Sequence, residues 1–282
     1  MAANYFFSSL TSTDDLESHF GYIRAKIDSG QRAVLTERYQ SLKSHQQIED
    51  NLKYVEALLI LLDTPPSSDK DTSPYDKALA KLEQMEQDRN SAVRYLLLGY
   101  CSLERLLRTA SGLEIDALLF ENTHRYLVLA YDQGLGNDRI RASALMNLGV
   151  LHQRAQNHGL AVRFLTQRKR LGFTDTDEKR DEERSFAWIY SRSLFYNHQT
   201  GEAIQELEHA LTLSSTEAEL LPFRERRAFY LVAERRFSEA QASYAQLIQS
   251  GLLRGDVNLA KAYLNYGYTL LKLKNESEAR PI

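Results

Sequence analysis

From residue 14 onward, apolar residues recur three and four apart in successive segments of 12 to 20 residues, each separated from the next by a short polar break. That spacing places them along one face of a helix and is incompatible with the two-residue period of a strand. It predicts helices near 14–28, 31–45, 47–62, 74–88, 91–109, 113–133, 138–156, 159–171, 177–197, 201–213, 216–235, 238–249 and 256–273, with a last one starting near 276. No stretch alternates β-branched and polar residues, so strands are not expected. With only 13 Gly and 5 Pro in 282 residues, the chain also lacks the turn chemistry that many short strands would need. It therefore reads as all-α.

Several breaks carry helix-start signals. Asp14 with Glu17, Ser214 with Glu217, Ser238 with Gln241 and Asn275 with Glu278 each set a capping side chain three residues before a Glu or Gln. This arrangement can satisfy first-turn N–H groups that have no partner within the helix. Ser73-Pro74 places a proline in the first turn, where its missing N–H costs nothing. The one long break, Asp63 to Ser73, is rich in Pro, Ser, Asp and Lys and is expected to be a mobile loop or a boundary.

Self-comparison shows copies. Ala161, Ala203, Ala240 and Ala279 are each expected near the start of the second helix of a pair, at spacings of 42, 37 and 39 residues. Twelve residues before each stands a small residue: Gly149, Ser191, Ala228 and Gly267. Small side chains at matched points let two helices approach closely, and large neighbours such as Leu148, Leu165, Leu194, Leu207, Leu231 and Tyr244 fill the space around them.

These residues resemble the tetratricopeptide repeat. Asn147-Leu148-Gly149 followed by Ala161 and Leu165 is similar to its pattern, as are Gly201-Glu202-Ala203-Ile204 with Leu207, Phe237-Ser238-Glu239-Ala240 with Tyr244, and Tyr266-Gly267 with Ala279. The resemblance covers 138–282. It departs from the family in its longer period, in the missing first-helix aromatics and in lacking a Pro to close each unit. It implies an α-solenoid of antiparallel helix pairs, with 1–137 a divergent helical part and 138–282 the repeat array. The pattern expects an apolar residue after the last position, so the final repeat reads as truncated and its helix as a site of self-association.

In the family, the first helix of each pair lines a concave groove with its second, fifth, sixth, ninth, twelfth and thirteenth positions. Carried over, these implied partner-binding residues are Asn147, Gln153, Arg154, Trp188, Arg192, Phe195, Asn265, Tyr268 and Lys272, with Met146, Val150, Phe229, Val232, Leu264 and Leu271 beside them. Amides can hold a peptide backbone, and aromatics supply anchor area. The family's clamp for a C-terminal carboxylate needs Lys and Asn at the fifth and ninth positions. Met146 and Val150, or Trp188 and Arg192, stand there instead.

No catalytic or metal-binding pattern competes with this reading. The seven histidines form no zinc-helix spacing, and the single Cys101 lies among leucines and reads as a buried, inert thiol. Gly134-Leu135-Gly136 reads as a helix–helix turn, and Ser67-Ser68-Asp69-Lys70 as a chance match to a nucleophile motif. Arg163, Arg168, Lys169 and Arg170 complement a helix C-terminus. The acidic run Asp175 to Glu183 follows at once and would neutralise the field that nucleic acid needs, and within it Asp181-Glu182-Glu183 reads as a solvated face. With a net charge of −3, nucleic acid is not an expected partner. No membrane span or signal segment is visible, so a cytoplasmic location is expected, although an exported domain without its signal would read the same. The sequence thus predicts a scaffold without enzymatic activity or cofactor that binds a protein or peptide. The alternative is a ligand-sensing module of a larger signalling or transcription protein.

Overall fold

The computed structural model describes residues 57, 60, 61, 67–84, 92–109, 114–172, 177–251, 253 and 256–279. The helices expected at 14–28 and 31–45, and the Asp14–Glu17 cap, lie outside them. Within the described residues the chain is all-α: α1 Ser73–Glu83, α2 Ala92–Thr109, α3 Ala117–Gln133, α4 Asp138–Arg154, α5 His158–Leu171, α6 Asp177–Tyr196, α7 Thr200–Leu213, α8 Glu217–Ala233, α9 Phe237–Gln249 and α10 Asp256–Ala279. The chain divides into two compact units, 1–151 and 152–282.

In the first unit α1 packs on α2, and α2 on α3. Tyr75, Ala78, Leu79 and Leu82 of α1 join Val93, Leu97, Leu98 and Cys101 of α2 in one buried cluster. Burial pushes the Cys101 thiol up to about 12, which leaves it protonated and inert at neutral pH. At Gly99 the Leu127 side chain of α3 occupies the space a Cβ would need. The segment expected to be mobile is tied down from residue 67. The Asp71 carboxylate accepts from Ser67 N at 2.8 Å, Ser67 Oγ at 2.9 Å and Ser73 N at 3.0 Å. Those bonds hold its carboxyl far below the ordinary range. Arg108 then donates to Ser68 O at 3.1 Å and to the Tyr75 hydroxyl at 3.1 Å, fastening the segment to α1 and α2.

In the second unit the repeat is visible in the backbone. Gln156, His198 and Arg235 follow the C-termini of α4, α6 and α8 with φ of 58°, 61° and 61°. In each case the next N–H closes the turn at 2.9 Å: Asn157 to His152 O, Gln199 to Leu194 O, and Arg236 to Leu231 O. This is a left-handed helix stop, repeated at the same 42- and 37-residue intervals as the alanines. Ala161, Ala203 and Ala240 are fully buried, as are Ser191 and Ala228. A non-glycine residue in this conformation carries a cost of roughly 1 kcal/mol. His198→Gly and Arg235→Gly, both exposed positions, are therefore each expected to stabilise the second unit by about 0.5–1 kcal/mol. Urea unfolding followed by Trp188 fluorescence checks this.

Three expectations are corrected. The capping box before α8 is Thr216 with Glu219, while Ser214 closes α7 instead. α9 starts at Phe237, so Ser238 is inside it. No new helix starts near 276: α10 runs unbroken to Ala279, because the Leu-Lys-Leu-Lys-Asn-Glu-Ser-Glu-Ala stretch contains neither Gly nor Pro to stop it. The space around Gly267 is accordingly open, with nothing within 4 Å of where a Cβ would sit.

The basic cluster is also more structural than its sequence suggests. Arg168 is buried, pairs with Glu183 at 2.8 Å and lies 4.0 Å over the Phe186 ring. Lys169 pairs with Glu206. Glu183 is thus part of the α5–α6 contact and does not lie on a solvated face.

Candidate functional site

Three helices of the second unit present one face each to a cleft of about 440 Å³. α6 contributes Trp188, Arg192, Phe195 and Tyr196. α8 contributes Pro222, Glu225, Arg226, Phe229 and Tyr230. α10 contributes Lys261, Ala262 and Asn265, and Tyr244 of α9 also lines it. On α6 and α8 the spacing of three, four, seven and eight is what brings these side chains to one helix face.

Aromatic packing fixes the walls. Phe195 stacks on Tyr230 with ring centres 4.2 Å apart and planes 3° from parallel. Trp188 meets Phe223 edge-on at 5.6 Å, and Phe229 leans on Phe195 at 5.7 Å. Burial pushes the Tyr230 and Tyr244 hydroxyls up to about 12, so both stay neutral donors.

Electrostatically the cleft is positive. Arg192, Arg226 and Lys261 face a single carboxylate, Glu225. The Arg226 guanidinium lies over the Trp188 ring and donates to Trp188 O at 2.8 Å. Burial, followed by the neighbouring Arg192 charge, pulls its pKa down to about 10, although Tyr230, Tyr196 and Glu225 act in the opposite direction. Among the described residues neither Arg192 nor Arg226 has a carboxylate within ion-pair distance.

Trp188, Arg192, Phe195 and Asn265, predicted from the register, thus meet in one place. The other predicted residues lie elsewhere. Gln153 uses its amide to hold α6, donating to Ile189 O at 3.0 Å and Ser193 Oγ at 2.8 Å. Arg154 is half-buried at the end of α4, and Asn147 belongs to the first unit. Tyr268 and Lys272 lie further along α10, where Lys272 sits 5.3 Å from the Tyr268 ring centre and Tyr268 meets Phe237 edge-on at 6.4 Å. Tyr196, Pro222, Glu225, Arg226, Tyr230, Tyr244, Lys261 and Ala262 were missed. Tyr196, Pro222, Glu225, Arg226 and Lys261 fall on the thirteenth, second, fifth, sixth and second positions of the same register, which was signal enough to find them, whereas Tyr230, Tyr244 and Ala262 lie outside those positions.

Behind the cleft, His158 stacks on Tyr196 at 4.9 Å, and its buried Nδ1 has no partner. Burial, then the Arg192 charge, lowers its pKa. The folded state therefore binds this proton less readily than the unfolded chain, whose histidine titrates near the ordinary 6.5. The corresponding stability is complete above about pH 6.5 and is lost as pH falls below it. His158→Phe, which keeps the stacked ring, is expected to flatten the decline in stability between about pH 7 and 5. Urea midpoints measured across that range for the two proteins check this.

Among the described residues no cluster of three or more His, Cys, Asp or Glu side chains is placed to hold a metal ion. Nor is any helix there long and apolar enough to cross a membrane.

No protein-family model and no curated protein matches the sequence. Solved structures do match the fold. PilF from Pseudomonas aeruginosa aligns over 92% of this chain and 96% of its own, at 16% identity and a TM-score of 0.54. The C-terminal part of a TPR repeat-containing protein from Cytophaga hutchinsonii aligns over 88% of this chain and 93% of its own, at 13% identity and a TM-score of 0.46. NprR, in complex with its cognate peptide NprX, aligns over 92% and 76%, at 17% and 0.45. With the repeated helix stops and buried alanines, the fold is that of an all-α helical-repeat protein. More particularly, it is a tetratricopeptide-like α-solenoid.

Proposed function

We propose that this chain is a non-catalytic scaffold that binds an extended peptide segment of a partner protein in the cleft between α6, α8 and α10. The observation that carries the reading is the composition of that cleft. Six aromatic side chains and three cations converge on it, and its two guanidinium groups have no carboxylate partner among the described residues. Aromatic and arginine side chains dominate the energetics of protein recognition because they supply large contact area and directed donors together. A volume of about 440 Å³ falls in the lower part of the ~300–1,000 Å³ range of binding pockets.

The test places a photocrosslinking benzoylphenylalanine at Phe229, which is 47% exposed on the cleft wall. Crosslinking is carried out in the presence of captured partner, with and without the pair Trp188→Ala and Arg192→Ala. The reading expects an adduct on a partner peptide that the double variant loses while helix content is retained. An adduct of equal yield in both proteins would remove the cleft as the binding site.

A further inference from the structure

The charge and lining of the cleft narrow its occupant. Resting on the peptide-scaffold reading above, we infer that the cleft selects an acidic segment. In that segment Asp or Glu side chains stand among large apolar residues, and recognition does not depend on a chain terminus.

The three cations come from three helices: Arg192 stands on α6, Arg226 on α8 and Lys261 on α10, and the aromatic side chains of Trp188, Phe195 and Phe229 line the same cleft. Arg192 and Arg226 are close enough for one charge to act on the other. A segment that brings more than one carboxylate, with apolar side chains among them, complements both features of the lining.

The apolar side chains of such a segment match the Trp188, Phe195 and Phe229 walls, which in the free protein face the opening. Arg226 is positioned in advance by its bond to Trp188 O and its seat on the Trp188 ring, so an incoming carboxylate meets a donor that is already oriented. Glu225 is the single repulsive element in the lining and works against an acidic residue beside it.

The probe is a random heptapeptide display library with both ends covalently embedded, so that no terminal carboxylate is offered. It is selected in parallel over the full chain, over Trp188→Ala, and over the charge-reversed pair Arg192→Glu and Lys261→Glu. Both reversed positions are exposed and make no ion pair among the described residues, so the fold is not at stake. The inference expects acidic residues enriched at least about fivefold over the library, together with Phe, Leu or Trp in the same peptides. It also expects the reversed pair to enrich Lys and Arg instead. Enrichment of peptides without acidic bias, lost on Trp188→Ala, would overturn the charge inference and leave the peptide cleft standing. Equal enrichment over the full chain and Trp188→Ala would overturn both.

Discussion

Gly99→Val is expected to cost the first unit about 3 kcal/mol. Gly99 lies inside the 18-residue α2, where glycine is a poor helix former and where replacement alone favours the helix by roughly 1 kcal/mol. Its retention follows from contact. A Cβ built there would sit 2.5 Å from Leu127 Cδ2, 2.7 Å from Leu127 Cγ and 3.4 Å from Leu127 N of α3. Leu127 is fully buried and has nowhere to retreat. Alanine should therefore nearly balance, its propensity gain set against overpacking of about 1–3 kcal/mol. Valine adds a branched side chain to the same collision. The decisive measurement is a cycle with Leu127→Ala, which alone should cost about 2–5 kcal/mol by leaving a cavity. If the two side chains compete for one space, the double variant loses at least about 1 kcal/mol less than the sum. Strict additivity would show that they do not. Far-UV circular dichroism is the appropriate probe, because the only tryptophan, Trp188, reports on the other unit.

That glycine illustrates what the sequence made legible and what it did not. No pattern in the chain says that Leu127 is the side chain opposite Gly99. Helix extents were legible because apolar periodicity is long-range and redundant; α2, α5 and α9 begin and end within a residue of where the pattern puts them. Boundaries set by a single side chain were less so. Ser214-Ser215-Thr216-Glu217-Ala218-Glu219 contains two overlapping capping-box spacings. The chain uses Thr216 with Glu219, because Ser214 is already committed to ending α7. The three left-handed turns were hard to see for a simpler reason: none of them is a glycine or asparagine, and Gln156 and Arg235 are residue types with little preference for that conformation. In the cleft, the aromatic face of α6 followed from the register. The cations of α8 and α10 occupied registered positions too, yet charged residues on a helix read as solvated until a neighbouring helix is seen to enclose them.

Arg226→Met is expected to raise the stability of the free second unit by about 1 kcal/mol and at the same time to weaken ligand binding about 100-fold. The two effects share one cause. Arg226 is a half-buried guanidinium whose ionisation burial already disfavours, and Arg192 adds a like charge nearby. Its compensation is one bond to the Trp188 carbonyl and its seat on the indole, with no carboxylate among the described residues. Replacing an imperfectly compensated buried charge by an apolar side chain of similar length is commonly neutral or stabilising by about 1–4 kcal/mol. Methionine also keeps a favourable contact with the aromatic ring. The same charge is what an acidic segment would pair with on binding, and losing a buried charged hydrogen-bond partner costs about 2–5 kcal/mol of affinity. A residue kept against the stability of the fold is the mark of a site shaped for something it does not itself contain. The measurements are the urea midpoint followed by Trp188 fluorescence and the affinity for peptides from the end-embedded library. A loss of stability with binding unchanged would make Arg226 a strut of the α6–α8 contact and would shift the recognition role to Arg192 and Lys261.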